Sequence, residues 1–207
     1  MAFSDSSREH LAAEPVAVES TKLVVAGGFG AGKTTLVRAI SEIPPVDTDV
    51  WMTSSSELID PLDPGSDKTT TTVGMDFGRI TLPYEQLRLF LFGTPGQPRF
   101  WPLWDDLCRG ALGALVLVDT RQLPLSFPVV NYFELDQQLP YVVAVNLFDG
   151  TLTHDLDDVR QALVLRPEVP LITVDARDRD QVKQALATVL RHTLTCQTSI
   201  LTGTVAP

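Results

Sequence analysis

Only two of the 207 residues are cysteine, Cys108 and Cys196, and only three are histidine. Two cysteines so far apart make neither a disulfide framework nor a metal-ligand cluster, and they suit ordinary thiols in a reducing compartment. His10, His154 and His192 have no partners at ligand spacing and read as surface residues. Positive charge is also scarce, with 16 basic residues against 26 acidic ones and a net charge of −10. That field repels nucleic acid and anionic membrane surfaces, and no basic patch offsets it, so nucleic acid is not an expected partner. No apolar run approaches the roughly 18 residues of a spanning helix. The segment Ser4 to Glu14 is polar and mixed in charge, unlike a signal peptide, and neither the myristoyl nor the prenyl pattern is present. The expected address is therefore the cytoplasm, without direct membrane insertion, any recruitment to a membrane being left to a partner. What remains is ordinary: 44% apolar and 20% charged residues, enough for one well-cored domain.

One stretch stands out, Gly27-Gly28-Phe29-Gly30-Ala31-Gly32-Lys33-Thr34. It fits G-x-x-x-x-G-K-[ST], in which glycines let successive backbone N–H groups turn inward onto phosphate oxygens. Lys33 adds a mobile positive charge for the outer phosphates, and the Thr34 hydroxyl suits Mg2+. The context agrees. Leu23 to Ala26 is a short apolar run of buried-strand type. Thr35 to Ile43 has a helical apolar face and a Pro44-Pro45 stop. Strand, loop and helix N-terminus together make an anion site, so residues 28–35 (Gly28, Phe29, Gly30, Ala31, Gly32, Lys33, Thr34 and Thr35) are candidate contacts to a nucleoside triphosphate or diphosphate.

Residues 1–20 lack periodicity and read as a flexible tail, as do 197–207, leaving a domain over 21–196. Residues 44–72 make a long loop rich in proline, serine and aspartate, in which Trp51 and Met52 are unexpected for an exposed linker. Residues 77–82 and 87–92 flank a turn at Pro83 to Gln86 and predict an antiparallel hairpin. Strands at Ala114–Val118, Tyr141–Val145 and Leu171–Val174 then alternate with helical stretches at 126–138, 154–165 and 179–194. One hairpin followed by β-α units implies an α/β fold with a six-stranded, mostly parallel sheet and helices on both faces. Ligands of such sheets sit at the carboxyl ends of the strands, where the phosphate loop, Gly93, Asp119, Asn146 and Asp175 all fall.

The order of these motifs resembles the small Ras-like GTPases over about residues 22–195. Thr72-Val73-Gly74-Met75-Asp76-Phe77 resembles their first switch, which implies that Thr72, or one of the neighbouring Thr69 to Thr71, ligates Mg2+ and senses the γ-phosphate. Residues 93–105 resemble the second switch. Gly93-Thr94-Pro95-Gly96-Gln97 implies Gly96 N–H on the γ-phosphate and Gln97 orienting the attacking water. Asn146-Leu147-Phe148-Asp149 is similar to the base-reading Asn-Lys-x-Asp, and Asp175-Ala176-Arg177 stands where Ser-Ala-Lys offers a backbone N–H to guanine. Two departures are plain: Gly93 replaces the aspartate that holds Mg2+ through water, and Leu147 replaces the lysine that covers the base. The phrasing resembles bacterial small GTPases, the MglA-like group and, more closely, the actinobacterial conservon (CvnD-type) proteins. That resemblance implies a signalling switch with Mg2+ as cofactor, GTP and GDP as ligands, and a roadblock-type regulator and sensor-kinase-associated proteins as partners.

Physical reasoning on single residues runs beside it. A carboxylate such as Asp149 accepts two parallel hydrogen bonds from guanine N1 and N2, and adenine has no such donor pair. Taken with the resemblance, which alone implies the roles of Thr72 and Gln97, the catalytic candidates are Lys33, Thr72 and Gln97, and the metal ligands Thr34 and Thr72. Asp119, ending an apolar strand, reads as a structural hydrogen-bond acceptor or, against the lack at Gly93, as a metal carboxylate. Trp101 and Trp104 read as helix packing under the second switch or as an effector surface. Asp155, Asp157 and Asp158 read as charges favoured at a helix N-terminus rather than a calcium site. Arg79 and Arg99 are surface charges or internal arginine fingers. Two other functions stay open: an ATP-hydrolysing enzyme using Asp119, and a nucleotide-locked adaptor, suggested by Gly93.

Overall fold

The computed structural model describes residues 18–44, 49–51, 70–72, 75–82, 86–136 and 139–202, with 49–51, 70–72, 136 and 199–202 as backbone only. Strand β1 (Glu19–Gly27) leads through the phosphate loop into helix α1 (Lys33–Ile40). The helix begins two residues before the expected start, because Gly32 with φ 103 supplies the sharp left-handed entry. Short strands β2 (Asp49–Trp51) and β3 (Thr70–Thr72) pair antiparallel as a separate ribbon. The expectation of plain loop over 44–72 is thus corrected at both ends, where Val, Trp and Thr favour extended backbone. Then come β4 (Asp76–Leu82), β5 (Leu87–Gly93), α2 (Trp104–Cys108), β6 (Gly113–Val118), α3 (Phe127–Asn131), β7 (Tyr141–Asn146), α4 (Leu156–Ala162), β8 (Leu171–Val174) and α5 (Arg179–Thr202).

The main sheet has six strands in the order β4-β5-β1-β6-β7-β8. All neighbouring pairs run parallel except β4 with β5, as the hairpin and the β-α alternation require. Strands buried on both faces carry continuous apolar runs. In β1, Leu23 and Val25 pack with Leu36, Val37 and Ile40 of α1 and with Val182, Leu186 and Val189 of α5. Val24 and Ala26 face the other layer, with Trp104, Val129, Phe133 and Val159.

The helices differ from their periodicity at the ends. The stretch expected over 126–138 is α-helical only to Asn131 and continues as a π turn over Tyr132–Asp136. The stretch expected over 154–165 is capped by the Asp155 carboxylate, which accepts from the Asp157 N–H at 2.8 Å, and it ends before Val164, whose φ is 53. That cap accounts for the acidic cluster as helix-terminus chemistry. Helix α5 runs eight residues past Leu194 to Thr202. Among the described residues no helix is long and apolar enough to cross a membrane.

Candidate functional site: a phosphate cradle and a base-reading rim

The carboxyl ends of β1, β5, β7 and β8 converge on one side of the sheet, and a cavity of about 370 Å³ opens there beside the phosphate loop. Its lining includes Lys33, Thr34, Asp76, Thr94, Gly96 and Gln97, so the expected loop and second-switch residues do meet. Lys33 is buried, and its Nζ donates to the carbonyls of Gly27 and Gly28 at 2.8 Å each. Burial pulls its pKa down to about 8, the Asp76 carboxylate opposing that shift. Gly96 lies hard against the loop. A Cβ there would sit 2.8 Å from Lys33 Nζ and 2.9 Å from Phe29 Cα, so only glycine lets this backbone approach the place a terminal phosphate would occupy. The Thr94 hydroxyl is buried with no hydrogen-bond partner among the described residues. An unpaired hydroxyl in a cavity wall is a cost that a polar ligand removes.

The carboxylate missing from position 93 stands across the hairpin. Asp76 pairs directly with Gly93 in the β4–β5 register, and Thr34 Oγ1 donates to Asp76 Oδ2 at 2.7 Å. A Cβ on Gly93 would lie 2.8 Å from Asp76 Cβ and 3.1 Å from its Oδ2, so a side chain at 93 and this placement of Asp76 exclude each other. The sequence reading passed over Asp76 as a site residue. Extending the expected hairpin by one residue on each strand would have found it opposite Gly93.

Gln97 is exposed, its Oε1 accepting from Arg99 Nε at 2.9 Å. Arg99 lies over the Phe100 ring at 4.7 Å, and Phe29 projects from the phosphate loop at 66% exposure. Arg79 is held in β4 near Glu42, 3.9 Å away. Trp104 is core, as one reading expected: it is buried, and its indole N–H donates to the Pro95 carbonyl at 3.1 Å. The Thr72 backbone pairs with Asp49 in the ribbon, and its side chain lies outside the described part of the structure, as do Thr69, Val73 and Gly74.

At the other end of the cradle Asn146, buried at the tip of β7, is a latch. Its Nδ2 donates to the Ala31 carbonyl at 3.0 Å, and its Oδ1 accepts from the Ala176 N–H at 3.1 Å. Of the three backbone N–H groups expected as candidates to face guanine, that of Ala176 is thus bonded to Asn146. Asp149 follows on a left-handed turn with φ 58, its side chain 90% exposed. Arg177 is tied to Asp175 by Nε and Nη2, both at 3.0 Å, and its Nη1 lies 3.6 Å from Asp149 Oδ1. Asp119 is paired within the chain: both of its oxygens accept from the Arg121 guanidinium at 2.9 Å, and Arg121 lies over the Phe148 ring at 3.4 Å. Sequence reasoning had no role for Arg121. Among the described residues no group of three or more His, Cys, Asp or Glu is arranged to hold a metal.

A glycine-rich loop between strand and helix, a lysine in its floor and a mostly parallel sheet behind define a P-loop nucleotide-binding protein. Comparison with known proteins agrees. The model of the family described as "Conserved hypothetical ATP binding protein" matches residues 25–196, and the chain belongs to that family. An uncharacterized protein of Methanocaldococcus jannaschii is 24% identical over 177 residues, covering 84% of this chain and 98% of that protein. Among solved structures, the G domain of the T. maritima FeoB iron transporter superposes with a TM-score of 0.57 at 16% identity, over 84% of this chain and 99% of that one. The grouping with conservon-type proteins is not among these findings.

Proposed function

We propose that the chain is a guanine-nucleotide switch that binds GTP and GDP, hydrolyses GTP slowly, and presents its nucleotide state to protein partners through residues 66–78 and 93–105. The observation that carries this reading is the Asn146 latch. By holding Ala31 and Ala176 at once, it ties the phosphate loop to the loop after β8, which supports a purine bound beside Asp149 and Arg177.

Mg2+ fits the phosphate end. Thr34 and Asp76 offer two hard oxygens beside Lys33, the donor set this ion takes alongside phosphate. They would hold it, and bound there it supplies charge neutralisation between the outer phosphates. The chain's own residues do the remainder. Lys33 leaves the Gly27 and Gly28 carbonyls for phosphate oxygens, Gly96 brings an N–H to the terminal phosphate, and Gln97 exchanges Arg99 for the attacking water. With Gln97 held by Arg99, slow turnover is expected until a partner rearranges residues 93–105. A roadblock-type regulator, or a protein associated with a sensor kinase, is the partner class this reading carries.

The ATP-binding description of the family keeps adenine nucleotide as the second reading. The test is one purified sample: bound nucleotide released by denaturation and separated chromatographically, then phosphate release followed with GTP or ATP and Mg2+. Bound GDP with slow GTP turnover is expected. An empty site, or displacement of labelled GDP by equimolar ATP, would sink the guanine reading.

A further inference from the structure

The base-reading carboxylate is already partnered by this chain. Asp149 projects from a left-handed turn with φ 58, followed by Gly150 with φ 70, a backbone that holds the carboxylate outward. Arg177 approaches it from the neighbouring rim. The guanidinium is not a loose surface charge, because Asp175 takes both Nε and Nη2 at 3.0 Å and also the Arg177 backbone N–H at 2.9 Å. The third nitrogen, Nη1, is thereby left facing Asp149 Oδ1 at 3.6 Å. Guanine presents its N1–H and N2 amine as part of a guanidine unit, the same donor chemistry that Arg177 offers.

We infer that Arg177 is a specificity-determining residue, standing in for guanine on Asp149 whenever guanine is not there. The inference rests on the guanine reading of Asp149 proposed above. A carboxylate that reads guanine normally rejects adenine because adenine leaves the charge without a donor and sets the N1 lone pair against it. Arg177 supplies the donor that adenine lacks, so adenine nucleotide is penalised less than an unpartnered Asp149 would dictate. Guanine, for its part, must displace Nη1 before it gains both of its own bonds. Both effects narrow the gap between guanine and adenine nucleotides. Arg177 is 58% and Asp149 90% exposed, and pairs of that exposure shift an equilibrium by a factor of about five at most.

The test is the ratio of dissociation constants for ADP and GDP, measured with fluorescent analogues on the full chain as wild type, Arg177→Gln, Arg177→Lys and Asp149→Ala. Arg177→Gln should bind GDP tighter and ADP weaker, raising the discrimination by roughly three- to fivefold, and Arg177→Lys, which cannot keep both Asp175 contacts and also reach Asp149, should raise it too. In an Asp149→Ala background Arg177→Gln should change nothing, which separates action through Asp149 from a general loosening of the rim. An unchanged or falling ratio in Arg177→Gln, in protein with wild-type thermal unfolding, would overturn the proposal, as would an effect that persists without Asp149. If Asp149→Ala alone leaves the wild-type ratio untouched, the guanine reading itself is wrong.

Discussion

Lys33 is a charged group placed where charge is costly, and the ligand is what makes the placement favourable. In the free protein its pKa falls from the ordinary 10.5 to about 8, so above pH 8 the buried amine is increasingly neutral. Phosphate requires the ammonium form. Nucleotide affinity should therefore fall as pH rises from 8 toward 10, by at most about tenfold per unit, with proton uptake on binding visible by calorimetry in buffers of different ionisation enthalpy. The stability of the free protein moves the opposite way. The unfolded chain keeps this proton up to about 10.5 while the folded one releases it near 8, so this group's contribution to stability rises with pH across that window. Affinity that is flat from pH 7 to 10 would show that Lys33 is not the phosphate contact.

At the scale of the element, the β4–β5 hairpin transfers a carboxylate from one strand to the other. Asp76→Gly should abolish the Mg2+ dependence of nucleotide binding, and adding Gly93→Asp to that variant should restore part of it, because the new carboxylate enters the space that Asp76 leaves. Gly93→Asp alone should be the least stable of the three, its Cβ meeting Asp76 at 2.8 Å. Magnesium-dependent GDP dissociation rates read the first effect and urea unfolding the second. The short helix α2 has a comparable role for the loop before it. Trp104 ties that loop to the core through the Pro95 carbonyl and packs by tilted and edge-on ring contacts among Trp101, Tyr132 and Phe133. Trp104→Ala should cost about 3–5 kcal/mol. Trp104→Phe, which loses chiefly the hydrogen bond, should cost about 1 kcal/mol and alter GTP turnover more than GDP affinity.

For the whole molecule, the cradle joins loops from β1, β5, β7 and β8, so a bound nucleotide braces most of the sheet's carboxyl edge. With GDP at about 1,000 times its Kd, mass action adds about 4 kcal/mol, an upward shift in Tm of roughly 8–16 °C for a chain of this size. Thermal melts with GDP and with ADP check this: an equal shift from both would show no choice of base, and a larger shift from ADP would argue for the adenine reading.

The architecture was legible in the chain because its signals are local. A glycine-lysine loop needs a strand before it and a helix after it, and continuous apolar strands separated by helical periods admit few arrangements besides a mostly parallel sheet. Lys33 and Thr34 were reached by spacing, and Gly96, Gln97 and Asn146 through the resemblance to small GTPases; the structure gathers all five at one edge. Asp76 opposite Gly93, Asn146 bridging Ala31 and Ala176, and Arg177 reaching Asp149 depend instead on which strand lies beside which and in what register. Helix ends likewise followed a cap at Asp155 and a left-handed Val164 rather than periodicity. The sequence by itself determined the layers and the phosphate loop, since these follow from short-range geometry and the drive to bury apolar faces. Which carboxylate meets Thr34, and which cation meets Asp149, was decided only by tertiary structure, because residues far apart along the chain had first to be brought within reach of one another.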